Sequence, residues 1–290
     1  MTSIRILKTF LAVAGQGSFA GAAAQVALTQ AAVGQQMRAL EAELRRPLFE
    51  RQGKSVVLSP DGRELVPQVR RIVGLYEQMR TPATAGAMQG TVHLGAVVSA
   101  VRPLIQATLA LKARHPDLDL HVSAAKSAEL TARVAAGELD AAIVVREPGA
   151  ATEGLAWTPL YTEPMVLVAP RRGDEASART LLQEQPFIRF DRTQHTGQLV
   201  ERTLRRLRAR PREVLELNAL ESIVDLVRSG LGVAIVPLLR DARWPADTRL
   251  RIIDLPRAEE RRIALVQRRA SPAAAVIAAV AREFQARLPA

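Results

Sequence analysis

Apolar positions near the start of the chain recur at helical spacing. Ile4, Leu7, Phe10, Leu11 and Ala14 fall on one stripe and predict a helix over 4–14. Ser18 suits the N-cap of a second helix over 19–26, and Thr29 that of a third over 30–44, because a hydroxyl there accepts from an unpaired first-turn N–H. Only "ALT" joins these two helices, which is helix-turn-helix geometry, and Ala22, Ala23 and Ala24 are small enough for the crossing backbones to approach closely. On the third helix Val33, Met37, Leu40 and Leu44 recur at spacings of four, three and four and predict the buried stripe. Gln30, Ala31, Gly34, Gln35 and Arg38 lie opposite.

The stretch "LFERQGKSVVLS" then predicts a hairpin turning at Gly53. A helix follows from Pro60, with Ser59 as N-cap and Asp61 at the positive end of its dipole. Along it Leu65, Val69, Ile72, Tyr76 and Met79 space as four, three, four and three, a heptad seam suited to pairing with a second helix. An intramolecular packing stripe has the same spacing, and Pro67 inside the run removes a hydrogen bond and predicts a bend.

Residues 81–90, "TPATAGAMQG", carry no charge and read as a hinge. Beyond them the period changes. Short runs such as "TVHLGAVV", "LDLHVSA", "LDAAIVV", "PMVLVAP", "PFIRF", "EVLELN", "GVAIVP", "RLRIIDL" and "RRIALVQ" predict strands, and the stretches 196–208, 220–229 and 272–288 predict helices. Strand–helix alternation with runs this apolar predicts an α/β fold whose parallel strands are covered by helices on both faces.

Composition narrows the possibilities. The 290 residues are 48% hydrophobic and 24% charged, and only 3% aromatic, so aliphatic side chains must fill the cores. Without cysteine, disulfides, zinc–thiolate sites and thiol catalysis are excluded. Lys8 interrupts the first apolar run, no small-residue cleavage pattern follows, and no apolar stretch is long enough to span a bilayer, so a soluble, cytoplasmic protein is expected. Net charge is +11, and residues 1–80 hold 11 Lys/Arg against 6 Asp/Glu, so the net positive balance per residue is higher in the segment that suits nucleic acid than in the rest of the chain. The outer face of the third helix is nearly neutral, yet glutamine can pair with adenine edges and an alanine methyl can meet a thymine methyl. A three-helix core with a neutral outer face fits these residues as well.

These residues resemble the N-terminal region of LysR-type transcriptional regulators. The run "LKTFLAVAGQGSFAGAAAQVALTQAAVGQQMRALEAELRRPLFERQGKSVVLSPDGREL" follows that pattern at Phe10, Gly17–Phe19, Ala22, Ala23, Leu28–Gln30, Ala32, Val33, Leu40, Glu41, Leu44, Leu48, Phe49, Arg51, Leu58 and Gly62. It departs at Gly34, commonly serine, and at Arg45, commonly glycine. The resemblance implies a winged helix-turn-helix over 1–58, with Ser18, Thr29, Gln30, Ala31, Gly34, Gln35, Arg38, Arg51 and Lys54 facing DNA. It also implies a dimerising linker helix over 59–80 that uses Leu65, Val69, Ile72, Tyr76 and Met79. More loosely, "GELDAAIV" and "VDLVRSGLGVAIVP" are similar to segments of the family's effector-binding region. That implies a type II periplasmic-binding-protein-like domain over 91–290, with one α/β subdomain from 91–163 and 267–290 and the other from 164–266.

Ligands of such sheets sit beyond strand carboxyl ends, near helix N-termini. That expectation gathers Ser99, Ala100, Lys126, Ser127, Arg146, His195, Asn218, Val236 and Pro237 as effector contacts, although Ser99 and Ser127 are equally suited to capping helices. The nearby cations point to a small anion, such as a carboxylate. His93, His115, His121 and His195 show no metal-ligand spacing, no GxSxG elbow occurs, and Gly230-Leu231-Gly232 follows a helix pattern, the reverse of a dinucleotide turn. The expected protein is therefore a non-enzymatic regulator without a cofactor. Its expected partners are double-stranded promoter DNA, a small effector, a second or further copies of itself as homodimer or homotetramer, and RNA polymerase, with no membrane. A bilobal solute binder or enzyme of the same fold is the rival.

Overall fold

The computed structural model describes residues 2–52, 55–80, 88–147, 149, 153–171 and 176–288, apart from the side chains of 51–52 and 77–80. The chain begins with α1 (Ile4–Gln16), α2 (Phe19–Gln25) and α3 (Gln30–Leu44). The antiparallel pair β1 (Phe49–Gln52) and β2 (Ser55–Leu58) follows, and then the long α4 (Pro60–Arg80). Hydroxyls start these helices as expected: Ser18 Oγ accepts from the Gly21 N–H at 3.1 Å, Thr29 Oγ1 from Ala32 at 3.2 Å and Ser59 Oγ from Gly62 at 2.9 Å. Phe10, Ala22, Ala23, Val33, Met37, Leu40 and Leu48 fill the head's core. Glu41 fixes the wing to α3, its Oε1 accepting from the backbone N–H groups of Leu48 at 2.7 Å and Phe49 at 3.2 Å.

Two expected core positions are corrected. Ala24 is exposed because α2 turns only its neighbours inward, and Leu44 is 37% exposed because the chain leaves the helix immediately after it. That exit is made by Arg45 in the left-handed conformation (φ 55°, ψ 33°), which ends α3. A side chain in this conformation costs roughly 1–2 kcal/mol. Arg45→Gly is accordingly expected to raise stability by about 1 kcal/mol in a denaturant titration. A decrease would mean that the arginine side chain contributes more than its backbone strain costs.

The pairing seam expected on α4 is also corrected. Leu65 and Val69 are buried with Val66 in the head's own core and are closed to a partner. Ile72 is 47% exposed and Leu75, which the seam omitted, 48% exposed, while Tyr76 is half-buried. The side chain of Met79 lies outside the described residues. The apolar surface that the described side chains of α4 leave open thus lies around Ile72 and Leu75.

The remaining chain has two lobes. In the first, β3 (Gly90–Ala96) pairs in parallel with β4 (Leu118–Ala124) and β5 (Ala141–Val145), with α5 (Val98–Arg114) and α6 (Ser127–Ala135) as crossovers. The 16-residue β6 (Leu155–Pro170) then runs from this lobe into the second, which contains α7 (Ala178–Glu184), β7 (Pro186–Phe190), α8 (His195–Leu207), β8 (Arg212–Leu217), α9 (Leu220–Arg228), β9 (Ala234–Pro237) and β10 (Leu250–Asp254). β11 (Glu260–Arg268) returns to the first lobe, and α10 (Ala274–Ala286) closes on it, burying Ile277 and Phe284. Parallel pairing holds for β3, β4 and β5 and for β7 with β8. β6, β9, β10 and β11 pair antiparallel, contrary to an all-parallel sheet, because two strands cross between lobes in opposite directions. Ile263, Leu265 and Val266 belong to the first lobe's core, which moves the expected break at 266/267 to the start of β11. No helix among the described residues is long and apolar enough to cross a membrane.

Candidate DNA-reading face and effector cavity

On α3 the buried stripe of Val33, Met37 and Leu40 turns Gln30, Ala31, Gln35 and Arg38 to solvent, with Thr29 exposed at the helix start and Ser18 half-buried at the start of α2. A Cβ at Gly34 would find only Arg38 Nη1, at 3.7 Å, so packing does not require glycine there. Arg5 and Arg45 are exposed on the same head. The side chain of Arg51 and all of Lys54 lie outside the described residues.

The expected effector residues do not form one group. Arg146 and His195 line a cavity of about 700 Å³ between the lobes. Its walls are Leu160, Tyr161 and Thr162 of β6, Arg262 and Ile263 of β11, Leu199, Arg202 and Arg206 of α8, and Glu259 before β11. Ser99 stands in the first turn of α5, where its Oγ accepts from Arg261 Nη2 at 2.8 Å. Ser127 accepts from the Val145 N–H at 3.1 Å, tying α6 to the end of β5 instead of capping its own helix. Lys126 reaches Asp191 of the other lobe at 4.0 Å. Ala100, Val236 and Pro237 are buried and not free for contact, since their strand and helix ends pack into the lobe cores, while Asn218 is exposed outside the cavity lining.

Sequence pattern missed most of the cavity wall. The first half of β6, "LAWTPLYTE", breaks its apolar alternation with Thr158, Pro159 and Thr162. Beside Arg146 and His195, the spacing of Arg202 and Arg206, four apart on α8, was a legible signal.

Charge in the cavity is mixed. Glu259 Oε1 takes Arg206 at 2.7 Å and Arg202 at 3.5 Å. Arg146 and Arg262 have no carboxylate within ion-pair distance among the described residues; the Arg146 guanidinium lies over the Trp157 ring at 5.4 Å. Burial holds the His195 imidazole below the usual histidine range, with Glu147 opposing and Arg202 adding to the shift. His93, stacked on His121 at 4.9 Å, is lowered likewise, first by burial and then by Arg70.

An imidazole harder to protonate in the folded chain than in the unfolded one costs stability as pH decreases, since the unfolded chain binds the proton first. Stability is therefore expected to drop as pH falls from about 7 through the ordinary histidine pKa of about 6.5. A His93→Gln/His195→Gln double variant should flatten that slope in thermal melts. An unchanged slope would assign the acid sensitivity to other groups.

Comparison with known proteins bears on both sites. The family model described as "Bacterial regulatory helix-turn-helix protein, lysR family" matches residues 4–63, and "LysR substrate binding domain" matches residues 85–289. The "Probable hydrogen peroxide-inducible genes activator" of Mycobacterium avium is 31% identical over 244 residues, covering 80% of this chain and 76% of that one. The "RuBisCO operon transcriptional regulator" of Allochromatium vinosum is 30% identical, covering 81% and 80%. In fold, a full-length single-site variant of OxyR from Pseudomonas aeruginosa superposes with a TM-score of 0.75 at 24% identity, covering 98% of this chain and 95% of that one.

Proposed function

Since the chain belongs to the LysR family of transcriptional regulators, we propose that α3 reads promoter DNA in the major groove and that a small anion bound between the lobes modulates this binding. The observation that carries the first half is the solvent-facing set of Gln30, Ala31, Gln35 and Arg38 on a helix anchored by its opposite face. Glutamine amides and an alanine methyl read base edges, while Arg38, Arg51 and Lys54 contact phosphates. Two heads, paired through the open surface of α4 around Ile72 and Leu75, would meet half-sites related by two-fold symmetry. Selection from a random duplex library is expected to enrich such paired half-sites, and affinity should fall steeply with salt. Failure to enrich any sequence would contradict base reading.

The second half rests on Arg146 and Arg262, which lack carboxylate partners among the described residues in a cavity walled by both lobes. An anion there contacts strands of one lobe and α8 of the other, so its affinity depends on how the lobes sit, as a switching ligand requires. The relative from Mycobacterium avium is named for hydrogen peroxide, but these 290 residues contain no cysteine, so a peroxide signal would find no thiol to oxidise. A non-covalent effector fits better. A thermal-shift screen is expected to give carboxylate hits that Arg146→Gln weakens. Hits restricted to neutral or cationic compounds would overturn the anionic assignment. The rival solute binder or enzyme gives the DNA-reading head no role.

A further inference from the structure

A second basic cleft lies where the head meets the first lobe, away from the interlobe cavity. The joint is closely fitted at Gly137 (φ 76°), where an added Cβ would sit 1.8 Å from Arg268 Nη1 and 2.8 Å from Pro67 Cβ of α4. One turn further along α4, Arg70 Nη1 donates to the Glu138 carbonyl at 2.5 Å. Beside this contact a cleft of about 330 Å³ is walled by Arg63 and Arg70 of α4 and by His93, His121, Ser123 and Arg133 of the lobe.

Charge in this cleft is not balanced. Arg63 donates to the Leu58 carbonyl at 2.7 Å, and among the described residues neither Arg63 nor Arg70 has a carboxylate within ion-pair distance. Glu138, the acid in the wall, lies 3.4 Å from Arg133 Nε. Asp119 and Asp140 are occupied, by His121 Nε2 at 2.8 Å and by the His93 backbone N–H at 2.8 Å. Burial lowers the pKa of Arg70; Glu138 and Asp140 oppose the shift, and Arg133 and Arg268 add to it. Among the described residues Arg70 is thus a half-buried guanidinium bonded to a carbonyl, with other guanidinium groups nearby and no carboxylate in ion-pair contact.

We propose that this cleft binds a compact dianion, a phosphate ester or dicarboxylate of metabolite size, held by Arg63 and Arg70 on the linker helix and by Arg133 on the lobe. The bound anion spans head and lobe, so it favours one angle between them and acts on the spacing of paired heads. This site does not depend on the interlobe effector assignment.

Calorimetric titration of the full chain with inorganic pyrophosphate and, separately, with succinate tests it. Saturable binding of at least one to this cleft is expected, weakened about tenfold or more by Arg63→Gln and by Arg133→Gln and unchanged by Arg38→Gln or by Arg146→Gln, the last of which weakens only the separate carboxylate binding between the lobes. Which anion binds separates the phosphate from the dicarboxylate source. Hydrogen exchange of the unmodified protein should show added protection over 58–70 and 121–139, independent of any variant's folding. The proposal is overturned if neither anion binds, if binding is lost through Arg146 or Arg38 while Arg63 and Arg133 are dispensable, or if protection appears elsewhere.

Discussion

Arg261→Met is expected to lower stability by about 3–5 kcal/mol, the cost of leaving a buried charge without its partner. Arg261 and Glu163 are 3% and 2% exposed, and Arg261 Nε meets Glu163 Oε2 at 2.7 Å while Nη2 lies 2.5 Å from the same oxygen and also holds Ser99. The pair joins the two crossing strands, β11 and β6, to the start of α5. Burial already pushes the Glu163 carboxyl up from its usual range, with Arg261 opposing. Without Arg261 that carboxyl must take a proton to stay buried, and a raised folded pKa gives stability that is present at low pH and lost as pH rises. The deficit against wild type should therefore be wider at pH 8 than at pH 5. Adding Glu163→Leu should recover most of the loss in denaturant titrations. A single variant within about 1 kcal/mol of wild type at both pH values would contradict the pair's role.

Gly62→Ala is expected to cost about 3 kcal/mol and to abolish DNA binding while sparing the two-lobed region. A Cβ there would sit 2.1 Å from the Leu48 carbonyl oxygen and 2.9 Å from Leu58 Cδ2. The carbonyl cannot withdraw freely, because it accepts from the Ser59 N–H at 3.0 Å and so closes the base of the wing. Gly34 offers the contrast. Its nearest obstacle is the far end of the Arg38 side chain at 3.7 Å, so Gly34→Ala should gain up to about 1 kcal/mol of helix propensity. Thermal melts of both variants, with effector binding followed separately, test this. Equal losses at the two glycines would show that close packing is not what distinguishes them.

What could be read from the sequence divides by the range of the interactions. Helix starts at Ser18, Thr29 and Ser59, the buried stripe of α3 and the first-lobe strands depend on neighbours within a few residues, and periodicity reveals them. Leu65 and Val69 have the spacing of a pairing seam, yet the head covers them, and periodicity cannot say whose core a stripe enters. The cavity walls come from β6, β11 and α8, and the Glu163–Arg261 pair spans 98 positions, so no local pattern announces them. Arg45 was visible as a departure from the family's glycine, but its left-handed backbone was not.

Base reading by the neutral face of α3 is tested most directly by fluorescence anisotropy at one fixed salt concentration. Wild type, Gln35→Ala and Arg38→Gln would each be titrated against a selected operator and a shuffled duplex of equal length. If α3 reads bases, Gln35→Ala should lose about 1–3 kcal/mol on the operator and almost nothing on the shuffled duplex, whereas Arg38→Gln weakens both alike. Equal losses for Gln35→Ala on the two duplexes would contradict it.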